Sequence, residues 1–276
     1  MTTDSDTAGP RPSPVGHTSR GHLSTIAIVT AALALPVMLL AALVLAVVPG
    51  IPWWVGLPIG LAVAAVVVGY RIHNATSTLL DRLRAVPADP DDYARFHNLT
   101  QGLALGGGVA EPDLYVIDDE ARNAAAIAQG DRSAIVATTG LLTALDRIGL
   151  EAVVAEAMVR IRTGDAEAAT MASALFGSLV VGPASLFRPL AGLGFNRLLP
   201  DDRELRADRA AVALTRYPPG LVSAFAVIRA GSPDVASSSS ANDHLWLVPP
   251  SSVGGGGGVI VRAAPLDLRI DVLGEL

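Results

Sequence analysis

Most protein chemistry is built on cysteine, histidine, serine or a glycine-rich turn, and this chain places few of them where they could act. It has no cysteine, which removes disulfides, thiolate metal sites and cysteine nucleophiles together. Its histidines are His17, His22, His73, His97 and His244, and no two stand at a helical metal-ligand spacing. His17 and His22 fall in a polar N-terminal stretch, while His97 and His244 read as packing or surface residues. Gly106, Gly107 and Gly108 follow a helical pattern and precede a strand, the reverse of a phosphate-binding strand, loop and helix, so they read as a helix stop and turn. The serines at 237–240 sit in a linker with no histidine pattern that would make a nucleophile. Charge is what remains. Glu156 precedes Arg160 by four positions, the favourable orientation for a helical ion pair, worth about 0.3–0.5 kcal/mol when exposed.

The element carrying that pair is well defined. Leu150, Val153, Val154, Ala157, Met158 and Ile161 recur at helical spacing and form one apolar stripe. Before it, residues 77–107 read as two helices separated by a Pro/Asp cluster at 87–92. Three short runs then read as strands: 114–118, 124–128 and 134–138. A helix begins near Thr139. After the striped helix, residues 168–187 carry no charge and are interrupted by Gly177, Gly182 and Pro183, so 168–195 either re-enters a bilayer or caps the core. Asp201–Arg216 and Pro218–Arg229 are further helices, the second opened by prolines. Residues 231–243 read as a Ser-rich linker, Gly254–Gly258 as a flexible loop, and the end of the chain as a terminal helix.

The rest of the chain says where these elements work. Hydrophobic residues make up 51% of it and the mean hydropathy is +0.46, a balance that calls for membrane segments. The formal charge of −6, with no basic run, gives no footprint for nucleic acid. Residues 1–22 are expected to be a disordered tail. Leu23–Val48 and Trp53–Val68 are uncharged, and Pro49, Gly50 and Pro52 break between them, so residues 23–70 read as a transmembrane helical hairpin. Trp53, Trp54 and Tyr70 fall where interfacial aromatics belong. Arg11 and Arg20 precede the hairpin, and Arg71, Arg82 and Arg84 follow it. The positive-inside rule then places both ends, and the domain after them, on the cytoplasmic side of the plasma membrane.

From about residue 70 onward the order of segments resembles the HtpX-type membrane zinc metallopeptidases, the family that also holds the CAAX prenyl endopeptidase. The resemblance runs through RFHNLTQGLAL, then EPDLYVIDDEARNAAA with its Asn-Ala pair, then ATTGLLTALDRIGLEAVVAEAMVRIRTGD, then RELRADRAAVALTR, and closes with HLWLVPP and APLDLRI. It implies a membrane-anchored α+β architecture: the hairpin, followed over 71–276 by a mainly helical zincin-like domain with a small β-sheet.

In that family a His-Glu-x-x-His helix holds zinc through two histidines four apart, and its glutamate takes a proton from metal-bound water. The corresponding stretch here is Glu156-Ala157-Met158-Val159-Arg160. Glu156 and Arg160 therefore stand at the histidine positions and Ala157 at the general base. Glu204 matches the third ligand and Asp208 the aspartate that follows it, as vestiges of the metal site. The family's zinc is thus expected to be lost, with no catalytic residue, metal or other cofactor remaining. The expected function is that of a pseudoprotease, a membrane-tethered binding or regulatory protein in membrane protein quality control. Its partners would be the lipid bilayer and peptide segments or another membrane protein. An active metalloendopeptidase with an altered site and a purely structural membrane protein are the alternatives.

Two finer expectations follow. Charge complementarity suggests that Arg160 bridges Glu156 and Glu204 as a fixed charge in place of zinc; otherwise the pair is solvated and Glu204 points elsewhere. A divalent ion on Glu156, Glu204 and Asp208 alone is chemically conceivable, but Arg160 opposes it. Asn123 and Ala124 match the Asn-Ala pair, so they either border an exposed edge that accepts an extended peptide as an added strand or simply complete the sheet.

Overall fold

The computed structural model describes Met38 and residues 52–181, 188–250 and 263–276. The expected tail, nearly all of the first hairpin helix and the glycine loop at 254–258 lie outside the described residues. The described residues are mainly helical, with one small sheet among them.

Helix α1, Gly56–His73, is apolar and, at 18 residues, about 27 Å long, close to a bilayer core. It is the one described helix long and apolar enough to cross a membrane. Its buried stripe is Gly56, Gly60, Ala64 and Val68, while Ile59, Val63, Val66 and Tyr70 point outward. Gly60 has a reason to lack a side chain: a Cβ there would stand 2.4 Å from the Cα of Met38, which is itself helical. At its far end Arg71 donates to Ser178 Oγ (2.9 Å), fastening the helix to the domain.

Helices α2 (Ala75–Leu83) and α3 (Ala94–Gly107) match the expected pair, but α2 stops sooner than its apolar pattern suggests. Arg84 takes a left-handed conformation (φ 55°) as its cap, and strand β1 (Val86–Pro87) follows. Strands β2 (Asp113–Ile117), β3 (Ala124–Gln129) and β4 (Arg132–Thr138) stand where the sequence puts them. The sheet order is β1-β2-β4-β3. β2 runs parallel to β4, and the outer pairs are antiparallel.

Both faces of the sheet are covered, which explains why the alanine-rich β3 is buried along almost its whole length. Ala124, Ala126, Ala128, Ile135 and Ala137 face a core built on α5 (Arg147–Thr163), α8 (Arg203–Thr215) and α9 (Pro218–Ala230). Ala125, Ile127, Ala134 and Val136 face a second core with α2, α6 (Asp165–Phe176) and α7 (Arg188–Leu198). Helix α4 (Thr139–Ala144) follows β4, with Thr138 as its cap, and α10 (Leu266–Gly274) closes the chain against α8 and α9.

Two further segments have described structure that bears on how the sequence reads them. Within 168–195, α6 has 12 residues, about 18 Å, and is mostly buried inside the domain, so this helix caps the core and cannot span a bilayer. Residues 231–243 are also more than a linker. Val235, Ala241 and Asn242 are buried, Asn242 Oδ1 accepts from Ser239 N (2.7 Å), and Asp119 Oδ2 accepts from Ala236 N (2.8 Å).

Candidate functional site

The striped helix α5 begins at Asp146, whose carboxylate accepts from Gly149 N (2.7 Å), and ends at Gly164, whose φ of 82° suits glycine. It packs along α8, and between them, with α10 alongside, lies a cluster of six charged side chains. Glu156 and Arg160 come from α5, Arg203, Glu204 and Asp208 from α8, and Arg269 from α10. None is more than 6% exposed. The cluster holds three arginines against three carboxylates, so its charges balance, and that balance makes such burial tolerable.

The pairing differs from the expected bridge. Arg160 Nε meets Glu156 Oε1 at 2.7 Å, as its four-residue spacing suggests. It does not reach Glu204. That carboxylate is held by its neighbour, Arg203 Nε to Glu204 Oε1 at 2.9 Å. The bridging residue is Arg269, whose Nε and Nη2 grip the two oxygens of Asp208 at 2.7 and 2.6 Å. The same Nη2 lies 3.6 Å from Glu156 Oε1. The guanidinium also stacks 4.4 Å from the ring centre of Phe225. Ala157 is buried beside the cluster and offers no acid or base.

The remaining guanidinium donors reach one short segment. Arg203 Nη2 donates to His244 O (3.1 Å), Arg160 Nη1 to Leu245 O (3.4 Å) and Trp246 O (3.1 Å), and Arg269 Nη1 to Leu247 O (2.6 Å). Four successive carbonyls of the HLWLV segment are thus held by the three buried arginines. The segment lies antiparallel along the outer edge of β3, where Ala125 pairs with Trp246 and Leu247 N donates to Ala124 O (2.7 Å).

This changes the role of the Asn-Ala pair. Asn123 and Ala124 are buried rather than at an open edge. The Asn123 side chain accepts from Ala124 N (3.0 Å) and Val248 N (3.2 Å) and donates to Val248 O (2.6 Å) and Pro233 O (3.0 Å). Further along, Ala128 N donates to Thr170 Oγ1 (3.2 Å). The chain's own groups occupy the place where an added peptide strand would have to pair.

Burial shifts the titrating groups. It pushes the Glu156 carboxyl above its usual value, against the opposing pull of Arg160 and Arg269. It also lowers Arg203, with Arg160 pushing the same way and Glu204 resisting. For Arg269 burial alone would lower the value, but Asp208, Glu156 and Glu204 together outweigh it and the net shift is upward. His244, also buried, is pushed down to about 3 by burial, with Arg203 adding to the effect. Its Nε2 lies 2.9 Å from Ala169 O, and its ring meets Phe195 edge-on at 4.8 Å. Among the described residues no three histidines, cysteines or carboxylates come together as a metal-ligand set. Zinc does not fit this donor set. Glu156, Glu204 and Asp208 are engaged by guanidinium groups, and of their oxygens only Glu204 Oε2 is buried without a partner.

The chain is 28% identical over 207 residues to the Protease HtpX homolog of Dictyoglomus thermophilum, covering 65% of this chain and 68% of that one. It is 27% identical over 215 residues to the Protease HtpX homolog of Tropheryma whipplei, covering 68% and 73%. A third relative so named, from Limosilactobacillus fermentum, is 29% identical over 213 residues, 64% and 71% of the two chains. Over about two thirds of its length the chain is thus similar to proteins named as HtpX-family proteases. No family model matches it, and no solved structure does.

Two residues of the cluster escape a reading by motif. Arg203 stands just before Glu204 in RELRAD, and Arg269 is the lone cation among Leu266, Leu268 and Ile270. An arginine placed within an apolar helical pattern is the available signal, since burial there demands a carboxylate partner.

Proposed function

We propose that this chain is a membrane-anchored pseudoprotease, an HtpX-family protein that has exchanged its metal site for a buried network of arginines and carboxylates. The observation that carries the reading is the replacement of ligands by ion pairs: Glu156, Glu204 and Asp208 each face a guanidinium group within 3 Å. Hydrolysis by the family mechanism needs a metal-bound water and a base beside it. Ala157 cannot be that base, and Arg160 repels a divalent cation.

Helix α1, with its outward apolar face and Arg71 and His73 in its last turn, supports a bilayer anchor. We place it as the second span of a hairpin in the plasma membrane, with the domain on the cytoplasmic side. The surviving role is binding or regulation in membrane protein quality control. With the Asn123 end of β3 already paired, a partner would dock elsewhere than on that edge. The same covered edge also favours a second reading, a structural membrane protein without a peptide partner.

The test is proteolysis of an unfolded substrate such as casein by the detergent-purified chain supplied with zinc, beside an active HtpX relative. No cleavage above a no-enzyme control is expected. Cleavage that a chelator abolishes would overturn the reading.

A further inference from the structure

The strongest unassigned feature is a cavity of about 10 Å³ lined by Arg160, Arg203, His244, Asp165, Ala126 and Leu245, among others. It lies against the charge cluster, on the side nearest the start of α6. A cavity of this size has room for about one water molecule. One of its walls carries an unmet donor: Arg160 Nη2 is buried and has no hydrogen-bond partner, although Nε and Nη1 of the same side chain are engaged. A buried guanidinium N–H without an acceptor is among the costlier defects a core can carry, and ordered water is the usual remedy.

The polar groups around the cavity fix the chemistry of the occupant. Arg160 Nη2 is the unmet donor, so the occupant must accept. Asp165 presents a carboxylate, which repels an anion and asks for a donor. Asp165 already accepts from Thr163 Oγ1 (2.8 Å) and sits 3.9 Å from Arg206 Nη2. His244 is neutral over the physiological range, because burial and the two arginines depress it. A neutral molecule that both accepts and donates satisfies this lining. A halide satisfies only the arginine donors.

We propose that a single buried water occupies this cavity, accepting from Arg160 Nη2, and completes the network that stands in for the metal site. The proposal rests on the reading of that site as a metal-free ion-pair cluster. The water holds the distal end of Arg160 and so positions the guanidinium between Glu156 and the carbonyls of Leu245 and Trp246.

The test is an experimental structure of the full chain at 2 Å resolution or better, with one crystal soaked in bromide and data also collected at the zinc edge. One oxygen-sized peak within hydrogen-bond distance of Arg160 Nη2, with no anomalous signal at either wavelength, is expected. An empty cavity, or a bromide signal in it, overturns the water and leaves the metal-free reading standing. A zinc signal among Glu156, Glu204 and Asp208 overturns that reading as well.

Discussion

Replacing Arg269 by methionine isolates what the cluster contributes. Its side chain is 1% exposed, grips Asp208 with two bonds, approaches Glu156, caps Leu247 O and stacks on Phe225. Methionine keeps most of the volume but leaves the Asp208 carboxylate buried without its cation. Breaking a buried pair on one side costs about 3–5 kcal/mol. For a folded unit of this size that lowers the Tm by roughly 6–20 °C. The control is Arg229→Ala. Arg229 and Asp267 meet at the same 2.7 Å, but the two side chains are 53% and 77% exposed, and such pairs contribute about 1 kcal/mol or less. Thermal unfolding in a mild detergent, followed by circular dichroism, compares the two directly. The double variant Arg269→Met with Asp208→Leu should recover part of the loss, since removing both charges leaves no orphan at that pair. If Arg269→Met shifts the Tm no more than Arg229→Ala does, the cluster is not shielded from solvent and the reading of it as a buried fixed-charge network fails.

Three other outcomes follow from the same geometry. Asn123→Ala removes four hydrogen bonds, two accepted by Oδ1 from Ala124 N and Val248 N and two donated by Nδ2 to Val248 O and Pro233 O, and should destabilise the chain by about 1–3 kcal/mol in urea titrations; a neutral result would mean that the segment is not anchored there. His244 has a folded value near 3 against 6.5, so its contribution is complete above pH 6.5 and is lost as pH falls toward 3, where the unfolded chain takes up a proton that the folded chain refuses. By pH 5 this amounts to about 2 kcal/mol, and His244→Gln should flatten the Tm profile between pH 6.5 and 5; an unchanged slope would contradict the burial of the ring. The chain has no native cysteine, so Glu275→Cys gives a clean single label. A membrane-impermeant maleimide should react only after the inner membrane is permeabilised, and labelling of intact cells would place the domain on the other side.

The fold was legible where hydrophobic spacing dictates structure. The stripe Leu150–Ile161 predicts α5, the polar turns between short apolar runs predict β2, β3 and β4, and Pro218 predicts the start of α9. It was less legible where composition misleads. A serine-rich stretch reads as a linker, yet Asn242 folds it on itself and Asp119, Asn123 and Ser173 tie its backbone to the domain. An uncharged run reads equally as membrane or core, and within it α6 is short and mostly buried, which composition alone does not reveal. At the site, spacing revealed the Glu156–Arg160 pair because four residues make one helical turn. The Arg269–Asp208 pair joins positions 61 residues apart, and no local pattern encodes it. The place of Arg203 was hidden for another reason: adjacent residues on a helix do not normally face each other, and Arg203 reaches Glu204 only because it lies in the first turn, with its tip at the carbonyl of His244.

A measurement of zinc content by mass spectrometry, on chain purified in detergent without chelators, tests the proposed loss of the metal. It is run beside the variant carrying Glu156→His, Ala157→Glu and Arg160→His, which supplies the missing ligands next to the unpartnered Glu204 Oε2. The natural chain should carry far less than one zinc per molecule, and the variant should approach one. Stoichiometric zinc in the natural chain would contradict the claim outright.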